Sequence, residues 1–453
     1  MKKTLFFVIA LLILASVSAQ DIASGYFTEG YLYRHEMNPA LGNEKNYIAM
    51  PALGNLNVNV RGNLGLSDIL YKHNGNTVSY LNPGVSLSEF SNNISDGNNR
   101  FNEGVKLQLL GAGFKAFGGY NTIDINARER VSAIIPGSIL LTTKEGLSNN
   151  HYEFSDISAR GNAYAELALG HSHQLNDKLR VGGKIKFLLG LAHADIRLNN
   201  ITLDLDEDKY TTRADAVVES SFKDITYEYG HNTQTDRDYV KDIHKVKLSP
   251  NGFGIAVDLG AEYKLNDNWR FSLALTDIGF ISYNNNFVLQ NDASKSFDSS
   301  KYIFSVDEED DNYYDKEFDR LKDDLVSIYQ LEDKGNKGNK TWMLGTTVNI
   351  GAEYKCMFYD KLSFGILNTT RLRGKYSWTD FRLSANVSPF KIFSAGVNVS
   401  GGSYGFGFGW IADFHVTGFN IFMGMDHILG KLAKQGAPLS SNAQLSMGIN
   451  FPF

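Results

Sequence analysis

From residue 252 to 265 the chain alternates without a break. Phe253, Ile255, Val257, Leu259, Ala261, Tyr263 and Leu265 are apolar or aromatic, whereas Gly252, Gly254, Ala256, Asp258, Gly260, Glu262 and Lys264 are small or charged. A period of two puts each set on its own face of a β-strand. Asn266, Asp267 and Asn268 then supply turn chemistry, and the alternation resumes with Trp269, Phe271, Leu273 and Leu275 against Arg270, Ser272, Ala274 and Thr276. The two runs predict a long hairpin, and similar units recur near residues 170–178 and 351–355. At the end of the sequence Phe453, Phe451, Ile449, Met447, Leu445 and Ala443 share one face, opposite Pro452, Asn450, Gly448, Ser446, Gln444 and Asn442. In an open sheet such a strand would expose both an apolar row and an unpaired edge, and closure into a barrel removes the edge.

The same pattern places strands near 55–61, 104–114, 119–129, 160–175, 178–197, 341–354, 361–373, 378–388, 391–400, 403–415 and 418–426. With 252–265, 269–287 and 442–453 the total is roughly 14, an even number as bacterial transmembrane barrels have. The expected fold is therefore all-β, an antiparallel transmembrane barrel. Connection lengths support it, because short turns at 176–178, 266–268, 356–360 and 388–390 fall on one side. The long loops near 130–159, 198–251 and 288–340 fall on the other, expected to be extracellular.

Composition adds compartment. Lys2 and Lys3 precede an apolar run from Leu5 to Ala15 and the small residues Val17, Ser18 and Ala19, which reads as a Sec signal peptide over 1–19 that directs export. Aromatics make up 12% of the chain, and 43 Gly stand against 8 Pro, a balance suited to many strands and tight turns. The net charge of −6 argues against nucleic acid as a partner, and the single cysteine, Cys356, excludes an intramolecular disulfide.

Alternation puts Lys184, Lys186, Asp258, Glu262, Lys264, Arg270, Arg382 and Asp413 on the lumen face. Gly405, Gly407 and Gly409 lie there too, opposite an outward Tyr404, Phe406, Phe408 and Trp410. These charges could close the interior by ion pairing or line a passage. His171 and His173 share a face and could chelate a metal, but they also share it with Leu167 and Leu169, which suits the membrane edge. Asp413 and His415 could form a dyad or a strand-end ion pair. Acidic clusters at 204–208 and 307–311 fit solvated loops better than calcium sites. Phe318, Leu321, Leu325 and Ile328 predict a short amphipathic helix, and Val131 to Leu141 is unusually apolar for a loop. No nucleophile elbow or phosphate-binding loop is present, so neither an enzyme nor a cofactor is expected.

Residues 24–41 and 50–60, with the recurring hairpins and the terminal Phe453, resemble a Bacteroidota outer-membrane family described as a conserved domain of unknown function. The tripeptide Asn38, Pro39 and Ala40 is also similar to FadL-type transporters and to PorV-like barrels of type IX secretion. The FadL resemblance implies that residues 20–54 enter the lumen as a plug, with residues 55–453 forming the barrel. The last strand resembles the signal read by the barrel insertion machinery, carried here by Phe453, Phe451 and Ile449. Three functions follow as expectations: uptake of a hydrophobic small molecule across the outer membrane, docking of a secreted protein partner, or lipid hydrolysis, in that order. Outer-membrane lipid is a partner in each.

Overall fold

The computed structural model describes residues 22–43, 45–147, 149–205, 210–232, 236–291, 297–298, 320, 328–427 and 442–453. The signal peptide and the acidic run 307–311 lie outside them, as do Phe318, Leu321 and Leu325 of the expected amphipathic helix, whose last member, Ile328, is described and buried. Fourteen antiparallel strands close into a barrel. They are β1 (Tyr47–Ala49 continued by Leu56–Gly62), β2 (Asn98–Ala116), β3 (Gly119–Pro136), β4 (His151–Gln174), β5 (Leu179–Leu205), β6 (Gly252–Lys264) and β7 (Trp269–Tyr283). The second half comprises β8 (Lys340–Met343 continued by Thr346–Lys355), β9 (Leu362–Leu372), β10 (Trp378–Phe390), β11 (Phe393–Gly402), β12 (Gly405–Val416), β13 (Phe419–Asp426) and β14 (Asn442–Pro452). β14 pairs with β13 on one side and with β1 on the other, so no edge remains in the ring.

Outward positions form an apolar belt, including Phe253, Ile255, Leu259, Phe271, Leu273, Ile366, Leu383 and Phe451. Inward positions are polar and buried, for example Gln444, Ser446 and Asn450 on β14. A soluble protein would hide such a belt, whereas lipid is its matching solvent. No helix among the described residues is long and apolar enough to cross a membrane, which says nothing against strands doing so.

Four features depart from the sequence reading. The long loops are in large part sheet: β4 has 24 residues and β5 has 27, far beyond the roughly 10 that cross a bilayer. The upper part of β5 pairs with Tyr210–Ser221, and Asp224–Asn232 pairs with Arg237–Lys247 as a separate hairpin. The apolar stretch from Val131 to Leu141 ends β3 and continues into the helix Gly137–Glu145. There Leu140 is buried with Phe90 and Val85 of the β1–β2 loop.

The alternation of β7 also flips. Thr276 and Asp277 are both buried, and beyond them the inward residues are Ile281 and Tyr283. A bulge opposite Val257 to Leu259 shifts the register, and Asp277 adopts φ 60, a strained angle for a non-glycine residue. Finally, Tyr404 is not part of the outward row. It lies in the two-residue turn between β11 and β12, outside the strand's alternation, and its hydroxyl accepts from Asn102 of β2 at 2.7 Å.

Candidate functional site

Residues 22–42 pair with no strand yet are almost wholly buried. They contribute Tyr26, Phe27, Tyr31, Leu32 and Tyr33 to an apolar core completed by the inward Tyr47, Tyr120, Leu367, Ile411 and Phe422 of the wall. The rings of Tyr31 and Phe422 meet edge to face at 5.0 Å.

Three anchors fix this segment, two polar and one steric. At its start the Asp426 carboxylate accepts from the backbone N–H of Ala23 at 2.8 Å and of Ser24 at 2.9 Å, and from the Ser24 hydroxyl. These are the unsatisfied donors of the turn Ala23–Gly25, where an anion is favoured. Arg382 Nη1 donates to the same carboxylate at 2.9 Å. In the middle Glu36 is surrounded by cations: Lys106 at 3.0 Å, Arg128 at 3.6 Å and Lys184 at 3.6 Å. Beside it the Tyr33 hydroxyl lies 2.6 Å from both Gln108 Oε1 and Asn450 Oδ1.

The third anchor is steric. Gly182 and Gly260 face each other across β5 and β6, and Asn38, Pro39 and Ala40 lie directly on them. A Cβ on Gly182 would come within 2.3 Å of Pro39 C and O, and one on Gly260 within 2.0 Å of Asn38 Oδ1. The close approach requires glycine at both positions.

Two cavities touch opposite sides of the segment. Toward the short turns a cavity of ≈ 910 Å³ contacts Phe27, Gly30, Leu32, Arg34 and Leu41. Toward the long loops a cavity of ≈ 80 Å³ contacts Ala23, Glu36 and Met37. The eight lumen candidates divide between levels. Lys184, Lys186, Asp258, Arg382 and Asp413 are buried in the polar network. Lys186 bridges Asp258 at 2.7 Å and Asp277 at 2.8 Å. Glu262, Lys264 and Arg270 line the larger cavity at the short-turn mouth.

Asp413 accepts from Asn420 at 2.6 Å and lies 2.7 Å from His415 Nδ1. Gly30, at φ 90, is seated on this pair: a Cβ there would lie 2.7 Å from His415 Cε1. Gly30→Ala is therefore expected to lower stability by about 1–3 kcal/mol, read as a fall in the thermal unfolding midpoint. An unchanged midpoint would show that this turn is not held.

His35, Glu36 and Asp124 place ligand atoms within 4.8 Å of one another. Their lone pairs face ammonium groups, since Lys184 Nζ lies 3.2 Å from His35 Nδ1 and 3.8 Å from Asp124. A dication would be repelled there. His171 and His173 stack at 6.0 Å, and His171 bonds Asn121 at 2.9 Å.

Residues 39–426, which span the first thirteen strands, match a family of unknown function. The chain belongs to that family, DUF5723. No curated protein matches it. Among solved structures this DUF5723 chain is similar to a FadL homologue of Pseudomonas aeruginosa, at 10% identity and TM-score 0.42 over 97% of this chain and 98% of that one. It is also similar to the toluene transporter TbuX of Ralstonia pickettii, at 10% identity and TM-score 0.42 over 96% and 94%. A third is the toluene transporter TodX of Pseudomonas putida, at 8% identity and TM-score 0.39 over 96% and 95%.

Sequence reasoning missed Glu36 and the β3 residues Asp124, Arg128 and Arg130, as well as Asp277 and Arg371. The β3 set shares one parity with the buried Thr122, Asn126 and Ser132, so alternation carried the signal. Glu36 is in no strand and carried none.

Proposed function

We propose that this DUF5723 protein is an outer-membrane channel held shut by its own N-terminal segment, a plug that moves to let a hydrophobic small molecule pass. One observation carries the reading: residues 22–42 separate two cavities and are retained by side-chain contacts, without strand pairing. Such a segment can leave without breaking the ring of backbone hydrogen bonds. The hydrophobic character of the cargo is supported by an apolar patch on the inner wall, where Tyr164, Leu188, Ile281, Tyr283, Trp342 and Leu344 cluster.

The apolar belt would contact outer-membrane lipid, the short turns would face the periplasm, and Phe453, Phe451 and Ile449 would be offered to the insertion machinery. Passage needs no catalysis, and Asp413 and His415 act in this reading as a seat for the plug. The test is conductance in planar bilayers together with uptake of an apolar dye into liposomes. The full chain is expected to be closed and a variant lacking residues 22–43 to conduct and admit dye. Equal behaviour of the two, both correctly folded, would reject the plug.

A second reading, docking of a secreted protein, is favoured by the tall external sheet of β4, β5 and Tyr210–Ser221. A stable protein complex lost on trimming residues 206–251, with no dye uptake by either form, would favour it over passage.

A further inference from the structure

The smaller cavity, on the long-loop side of the segment, is strongly cationic. Arg61, Arg128, Arg130, Lys186, Arg371 and Arg373 line it, against the carboxylates of Glu36, Glu103 and Asp277. Asp277 is already shared by Arg130 at 2.7 Å, Lys186 at 2.8 Å and Arg371 at 3.5 Å. Glu36 serves Lys106, Lys184 and Arg128.

The remaining donors are not used up. Arg373 donates from Nη1 to Ser132 Oγ at 3.0 Å, but its buried Nε and Nη2 have no hydrogen-bond partner. The Nη1 of Arg130, a residue 91% buried, has none either. Next to Arg373, Arg160 lies over the rings of Tyr376 at 4.0 Å and Trp342 at 4.9 Å. Among the described residues neither Arg160 nor Arg373 forms an ion pair.

Buried guanidinium groups without counterions are costly, and forked donors facing a common space match an oxyanion. We propose that this chamber binds a phosphate group. Arg373, the one lining cation without an ion pair among the described residues, and the unpartnered Nη1 of Arg130 together offer more donors than the two oxygens of a carboxylate can accept, and the oxygens of a phosphate dianion match them better. The volume of ≈ 80 Å³ fits a group of five heavy atoms, since a water needs roughly 15 Å³ on this scale. The group could be free phosphate or the head of an amphiphile whose apolar part lies on the patch at Trp342, which borders Arg160 and Arg373. Binding at this site does not depend on whether anything passes the plug.

The experiment is calorimetry on the full chain in a neutral sugar detergent, titrated with inorganic phosphate and, separately, with dodecyl phosphate, each against sodium chloride of equal ionic strength. Saturable binding of inorganic phosphate, weakened at least tenfold by Arg373→Gln and by Arg373→Lys, supports a free-anion site. Saturable binding of dodecyl phosphate alone, with the same dependence on Arg373, supports the head group of an amphiphile. The lysine variant keeps the charge and removes the forked donors, so it tests geometry where the glutamine variant fails to fold. No saturable binding of either probe, or binding that both Arg373 variants leave unchanged, overturns the site. Conductance plays no part in this readout, so it can fail while the channel reading stands, and the reverse.

Discussion

Glu36→Ala is expected to destabilise the protein by about 3–5 kcal/mol, the cost of removing one partner from a buried charge cluster. The side chain of Glu36 is 1% exposed, and those of Lys106 and Lys184 are 0% and 1% exposed, so water cannot take over the role of the carboxylate. Asp124 and Glu166 remain nearby, at 3.8 Å from Lys184 and 3.1 Å from Arg128, but the anion 3.0 Å from Lys106 is lost. Thermal unfolding in detergent measures the loss. The double variant Glu36→Gln with Lys106→Met should recover much of it, because a neutral pair leaves less uncompensated charge. If Glu36→Ala changed stability by less than about 0.5 kcal/mol, the cluster would not be what fastens the segment.

The barrel was legible because alternation is a local property, and every expected strand from 55–61 to 442–453 overlaps an observed one. Its failures have local causes too. Asp277 flips β7 through a bulge, and a bulge adds one residue without any compositional mark. Tyr404 sits in a turn, where parity has no meaning. Lys184, Lys186, Asp258, Arg382 and Asp413 were readable as inward-facing, but not the partners that divide them into separate networks, since Lys186 meets Asp277 from a distant point in the sequence. The arrangement around Glu36 was illegible for the same reason. A segment without periodicity gives no face, and its neighbours come from β2, β3 and β5.

Gly260→Leu is expected to expel the N-terminal segment while leaving the barrel closed. Neither Gly260 nor its partner Gly182 has a positive φ, so β5 and β6 can carry leucine without backbone strain. The space above them is filled by chain. A Cβ at 260 would lie 2.0 Å from Asn38 Oδ1 and 2.9 Å from Pro39 Cδ, and at 182 it would meet the Pro39 carbonyl at 2.3 Å. Proline and a backbone carbonyl cannot swing aside as a flexible side chain could, so the segment must shift as a unit. Met37, 7% exposed, reports the shift. In a Cys356→Ser background, Met37→Cys should react with a water-soluble maleimide at least tenfold faster when Gly260→Leu is added, and bilayers should show open steps. Gly183→Leu is the control, because a Cβ there has its nearest neighbour at 3.8 Å and should leave labelling unchanged. Slow labelling in a correctly folded Gly260→Leu barrel would mean that the segment yields in place, and that opening requires the charge cluster at Glu36 to be broken first.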